Sequence, residues 1–204
     1  MSAVRAVIIL TLFLFIFGCV PQYDSGSALS NALREMEENQ TKAVAASYKT
    51  LSGQFSEKQA AYINKQGKNS IQGQGMLKTR GGDVKTSAGS IAYLYPKTDY
   101  TDEMMTALFG NTERGINQVF EVRAKKYKNV IVNLNPNITT YTKKQTCDAQ
   151  GNFDFSGIPD GTYYVVTNVE WSVPGTYAMG FQGGDLMSKI TVKNGSKQRV
   201  ILTD

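Results

Sequence analysis

From Gly161 to Val173 the chain alternates without a break. Tyr163, Val165, Thr167, Val169, Trp171 and Val173 fall on one face, and Tyr164, Val166, Asn168, Glu170 and Ser172 on the other. A two-residue period carried by β-branched and aromatic side chains is a strand with a buried face, and Pro174-Gly175 ends it. A strand this long belongs at the centre of an antiparallel sheet. Just upstream, Asp148-Ala149-Gln150-Gly151 pairs an Asp that can bond its own backbone with a Gly that accepts positive φ, the chemistry of a hairpin turn. Phe153 and Phe155 alternate with polar neighbours as a second strand, and Gly157-Ile158-Pro159-Asp160-Gly161 turns the chain again. The alternation points Tyr163 and Trp171 into the core. Tyr164 faces the other way and is the better candidate for contact with a partner.

The order D-x-x-G-x-F-x-F, a short corner, then hydrophobic-P-x-G-x-Y-Y-V resembles the carboxypeptidase regulatory-like domain, a transthyretin-like β-sandwich. Asp148, Gly151, Phe153, Phe155, Ile158, Pro159, Gly161 and Tyr163 carry the likeness. Gly81-Gly82-Asp83-Val84-Lys85, Ala88-Gly89, Tyr95-Pro96 and Tyr100-Thr101 also resemble exported bacterial proteins of that family. The resemblance implies a mainly β, antiparallel sandwich serving as an accessory, spacer or binding module. It implies no particular activity.

The start of the chain reads as an address. Arg5 precedes an apolar run from Ala6 to Phe17, about a dozen residues against the roughly 20 that a spanning helix needs. Residues 1–18 are therefore expected to be a signal peptide. Ile16-Phe17-Gly18-Cys19 resembles a bacterial lipobox, which implies that Cys19 becomes the first mature residue and carries acyl chains into a membrane. Val20 after the cysteine implies, in the families it resembles, export to the outer membrane. The expected location is its inner leaflet, facing the periplasm.

Residues 19–27 read as a tether and 28–68 as an N-terminal helical segment. Leu29, Leu33, Met36, Gln40, Val44, Tyr48, Leu51 and Phe55 recur at spacings of three and four, making an amphipathic stripe roughly 120° wide. The stripe is expected to pack on the sandwich, with partner docking or self-association as the alternative. Residues 69–204 form the sandwich, with strands over 71–80, 90–95 (Ile91, Tyr93 and Tyr95 on one face) and 130–134, and a final hairpin from Ile190 to Leu202. A short helical insertion near 101–109 is capped by Asp99 or Thr101 and stopped by Gly110. Asn111 to Tyr127 is the expected partner-shaped loop.

Little in the composition favours catalysis. The chain has no histidine, so the commonest general base and metal ligand are absent. Of Cys19 and Cys147 only the latter lies in the folded region, which gives no disulfide framework. Asp99, Asp102 and Glu103 sit where a helix N-terminus attracts carboxylates. Asp148 and Asp154 bracket a turn without the alternating ligands of a calcium loop. No cofactor or metal is expected, and the chain is not read as an enzyme. The net charge is +5, and its densest basic cluster is Arg123, Lys125, Lys126 and Lys128. With no nucleic-acid-binding fold around it, that cluster suits an anionic envelope surface rather than nucleic acid. The expected function is a non-enzymatic, membrane-anchored envelope lipoprotein whose sandwich binds or scaffolds another envelope component, most simply a protein. A periplasmic inhibitor or accessory subunit of an envelope enzyme is one alternative, and a hydrolase working without histidine another.

Overall fold

A computed structural model describes residues 30–38, 48–118, 131–174 and 180–204. The chain divides into two units, Met1–Asn39 and Gln40–Asp204. In the first, residues 30–38 form helix α1, with Leu33 and Met36 exposed at 54% and 68%. An i,i+4 pair of Arg34 and Glu38 lies along it at 3.8 Å.

The second unit is an antiparallel β sandwich, mainly strand, as the alternation predicts. Strands are numbered in chain order. The larger sheet runs β5 (Arg114–Gln118), β10 (Gly180–Val192), β9 (Gly161–Val173), β4 (Ile91–Pro96), β7 (Lys143–Thr146), antiparallel throughout. β9 is indeed central. In the smaller sheet, β2 (Asn69–Lys78) pairs in parallel with β11 (Lys197–Leu202). It pairs antiparallel with β8 (Asn152–Ile158) over its first part and with β3 (Val84–Thr86) over its last. The main core lies between the sheets: Ile71, Leu77, Phe153, Phe155 and Ile158 from one, and Ala92, Leu94, Tyr163, Val165, Val169 and Leu186 from the other. Trp171 faces this core as expected, but only half-buried at its margin.

A second core covers the outer face of the larger sheet. Helix α3 (Asp99–Phe109) lies on that face, with Tyr100, Met104 and Met105 packed against Tyr164 and Met187. Its cap is Thr98, one residue before the expected Asp99, in a reciprocal box with Thr101, the other candidate, and Gly110 ends it at φ 77°. On β4 the main-core face is Ala92 and Leu94. Ile91, Tyr93 and Tyr95, expected as the apolar face, lie on the outer side.

Within the expected helical segment over 28–68, residues 30–38 are helical and residues 57–64 form a short helix and a 3-10 turn, but the structure corrects 48–56, which are not helical. Tyr48–Thr50 is a strand, β1, paired in parallel with β6 (Ile131–Asn133). The chain then loops to a four-residue helix α2 (Glu57–Ala60) and a 3-10 turn (Ala61–Asn64). Leu51 and Phe55 reach the second core from non-helical backbone, and Phe55 meets the Tyr100 ring edge-on at 5.5 Å. Between them the Glu103 carboxylate takes the backbone N–H groups of Ser52 and Gly53 and the Ser52 hydroxyl, each at 2.7 Å. These three donors hold its pKa below the ordinary value. Fixing the loop this way satisfies backbone that a helix would otherwise have paired internally. Gln40 and Val44 lie outside the described residues.

Two expected hairpins are also corrected. β7 belongs to the larger sheet and β8 to the smaller, so the Asp148–Gly151 turn carries the chain from one sheet to the other. Likewise β10 and β11 lie in different sheets, and the turn at Lys193–Ser196 is a second crossing. Asn194 and Gly195 hold φ of 57° and 73° there. The local turn chemistry is as read; the partner strands are not. The loop expected from Asn111 to Tyr127 contains strand β5, and its residues 119–127 lie outside the described residues.

Candidate binding groove

Alternation on the smaller sheet sends Ile71, Phe153 and Phe155 inward and leaves a polar row outside. The register aligns Arg199 on β11 with Gln72 on β2, and Gln72 with Asp154 on β8. Gly73, between the outward positions of β2, has no room for a side chain. A Cβ there would come within 2.2 Å of the Phe153 ring beneath it. The row is thus seated on a packed floor.

Gln145 and Thr146 on β7, the edge strand of the other sheet, continue the row on one side. The Gln145 Oε1 accepts the Asp154 backbone N–H at 3.3 Å. The Gln72 Nε2 donates to Asp154 Oδ2 at 2.7 Å. Together with Asp148 and Asn152 these residues line a groove of about 390 Å³.

Asp148 is committed to the turn. Its Oδ1 accepts from the backbone N–H of Gln150 at 2.9 Å and of Asn152 at 2.8 Å. The Asn152 side chain adds bonds to both its oxygens at 3.1 and 2.9 Å. These donors favour the ionised form and lower its pKa. Arg199 differs: among the described residues its side chain makes no ion pair and no hydrogen bond. Arg199 lines the groove with its donors unpaired among the described residues, alongside Gln72 Oε1, Asp154 Oδ1 and the Gln145 amide nitrogen. Among the described residues no three metal-ligating side chains converge.

The expected contact residue Tyr164 is not on the surface. It is 0% exposed, packed under α3, and its hydroxyl donates to Asp102 Oδ1 at 2.7 Å. The face that alternation leaves for solvent is covered by a helix. Arg123, Lys125, Lys126, Lys128 and the expected lipid-attachment residue Cys19 lie outside the described residues. Sequence reading did not single out Gln72, Gln145, Asp154 or Arg199 as a group. The available signal was the polar set of β2 and of Lys197–Leu202, and nothing local says that these strands are neighbours.

No family model matches the chain, and no curated protein matches it. A solved structure does. The crystal structure at 2.61 Å of a Pseudomonas aeruginosa protein, provisionally described as carbohydrate binding, is similar at 27% identity with a TM-score of 0.60. The likeness covers 74% of this chain and 99% of that one. The chain is therefore similar, over nearly the whole of that neighbour, to a protein described provisionally by binding rather than by catalysis.

Proposed function

We propose that the sandwich is a non-enzymatic carbohydrate-binding module and that the saccharide sits in the groove of Gln72, Gln145, Asp154 and Arg199. The observation that carries this reading is the mixture of open groups. A sugar hydroxyl both donates and accepts, so its site must offer both. Arg199 and the Gln145 nitrogen donate, while Gln72 Oε1 and Asp154 Oδ1 accept. A simple anion calls mainly for donors, and a simple cation mainly for acceptors. The similar structure, described provisionally as carbohydrate binding, supports the same reading.

Calorimetric titration of the full chain in mild detergent against a panel of neutral saccharides tests it. Hydrogen bonds to a charged group contribute about 1.5–3 kcal/mol, so Arg199→Ala is expected to weaken binding roughly tenfold or more. Its thermal stability should not change, since the side chain holds nothing in place. Binding that survives Arg199→Ala and Gln72→Ala undiminished would refute the site.

We also propose that the module works at the bacterial envelope, held by acyl chains on Cys19. The short apolar run and the lipobox likeness support this. A fatty-acid probe fed to cells should label the wild type and not Cys19→Ala; label retained in the variant would exclude this anchor. Two or more chains, at about 0.8 kcal/mol per buried CH₂, suffice for stable attachment.

A further inference from the structure

We infer that the groove holds an internal run of a linear, neutral polysaccharide rather than one terminal sugar, an inference that rests on the carbohydrate reading above. The open groups are arranged in a line. Arg199, Gln72 and Asp154 are cross-strand neighbours on β11, β2 and β8. Adjacent strands lie about 4.8 Å apart, so the row covers roughly 10 Å before Gln145 extends it onto β7. The row of backbone positions is longer than one pyranose ring. Successive rings can follow it.

The ends of the row are not walled. β11 and β7 are each the last strand of their sheets, and the side chains of Arg199 and Thr146 are exposed. A chain can therefore enter and leave without terminating. The floor offers no aromatic platform either, because Phe153 is 3% exposed beneath Gly73. Without a ring to stack on, affinity must accumulate from hydrogen bonds along the row, and it must grow with ligand length.

Charge settles the class of sugar. Arg199 and the Asp154 carboxylate share the row with Gln72 between them, one positive and one negative charge that offset, and Asp148 is consumed by its turn. A uronic acid drawn to Arg199 would also lie along Asp154, and an amino sugar drawn to Asp154 would also lie along Arg199, so each would meet a like charge beside its partner. Neutral sugars meet neither as a like charge.

The experiment uses the full chain on an array of linear neutral, uronic and amino glycans, followed by titration of the best class as one to six linked residues. The expected result is binding to neutral glycans, with affinity rising at least tenfold from one to four residues and unaffected by blocking the reducing end. Arg199→Ala and Gln145→Ala should each weaken the four-residue ligand, while at most one of them weakens the two-residue ligand. A monosaccharide bound as tightly as the tetrasaccharide, with Arg199 still required, would overturn the extended-chain inference and leave the carbohydrate reading standing. Binding confined to charged glycans would overturn the neutral assignment. Binding to no glycan on the array would overturn both readings.

Discussion

Replacing Asn69 with alanine is expected to destabilise the sandwich by roughly 3–5 kcal/mol, a large part of the 5–15 kcal/mol typical of a domain. Asn69 opens β2 at 1% exposure and has its side-chain amide fully engaged. Its nitrogen donates to the Ile158 carbonyl at 2.8 Å and to Asp160 Oδ1 at 2.9 Å. Its oxygen accepts the Ser196 backbone N–H at 2.8 Å. Asp160 Oδ1 in turn accepts the Asn194 N–H at 3.1 Å. One side chain therefore joins both places near this end of the sandwich where the chain changes sheets, the β8–β9 corner and the β10–β11 corner. Alanine strands the buried Ile158 carbonyl, at about 1–3 kcal/mol, and removes two further bonds at about 0.5–1.5 kcal/mol each, while the Ser196 N–H keeps the Lys193 carbonyl at 3.1 Å. Urea unfolding should show a lower midpoint at an unchanged slope, the mark of lost stability rather than altered compactness. A loss below about 0.5 kcal/mol, the level of an ordinary surface change, would show that water replaces Asn69 at no cost.

Asn69 also shows where sequence reading stopped. The turns at Asp148–Gly151, Pro159-Asp160 and Asn194-Gly195 were legible because their chemistry is local: an Asx bond, a proline, a positive φ. Whether a turn makes a hairpin or crosses between sheets is decided by pairings such as β2 with β11, over a hundred residues apart in the chain. No local period encodes these. The same limit hid the groove, whose row exists only because β11, β2 and β8 are neighbours in that register. The apolar stripe from Leu29 to Phe55 misleads for a different reason. Leu51 and Phe55 are apolar because they enter the second core, and their helical spacing from Leu33 and Met36 is coincidental. Periodicity reports burial reliably, but over a mixed segment it does not report conformation.

Tyr164 is the position at which the sequence and structural readings predict opposite results. Alternation made it the outward face of β9 and a contact residue, whose loss would spare stability. The structure buries it completely among Tyr100, Met104, Met105, Ile138 and Met187. Tyr164→Ala should therefore cost roughly 3–5 kcal/mol, the range for emptying a large aromatic site in a packed core. Tyr164→Phe separates the ring from its hydroxyl. It keeps the packing and removes the bond to Asp102, which also pairs with Lys97 at a half-exposed site. With Lys97 and solvent available to that carboxylate, the phenylalanine variant should lose only about 1 kcal/mol. The ratio between the two variants is the informative quantity, because it assigns most of the loss to the ring rather than to the hydrogen bond. Neither variant should alter saccharide affinity while folded, since Tyr164 belongs to the larger sheet and the groove is built mainly on the smaller one. An alanine variant that keeps its unfolding midpoint and loses ligand would restore Tyr164 to the surface. One that unfolds earlier and still binds in the cold would show that α3 turned the second face of β9 into core.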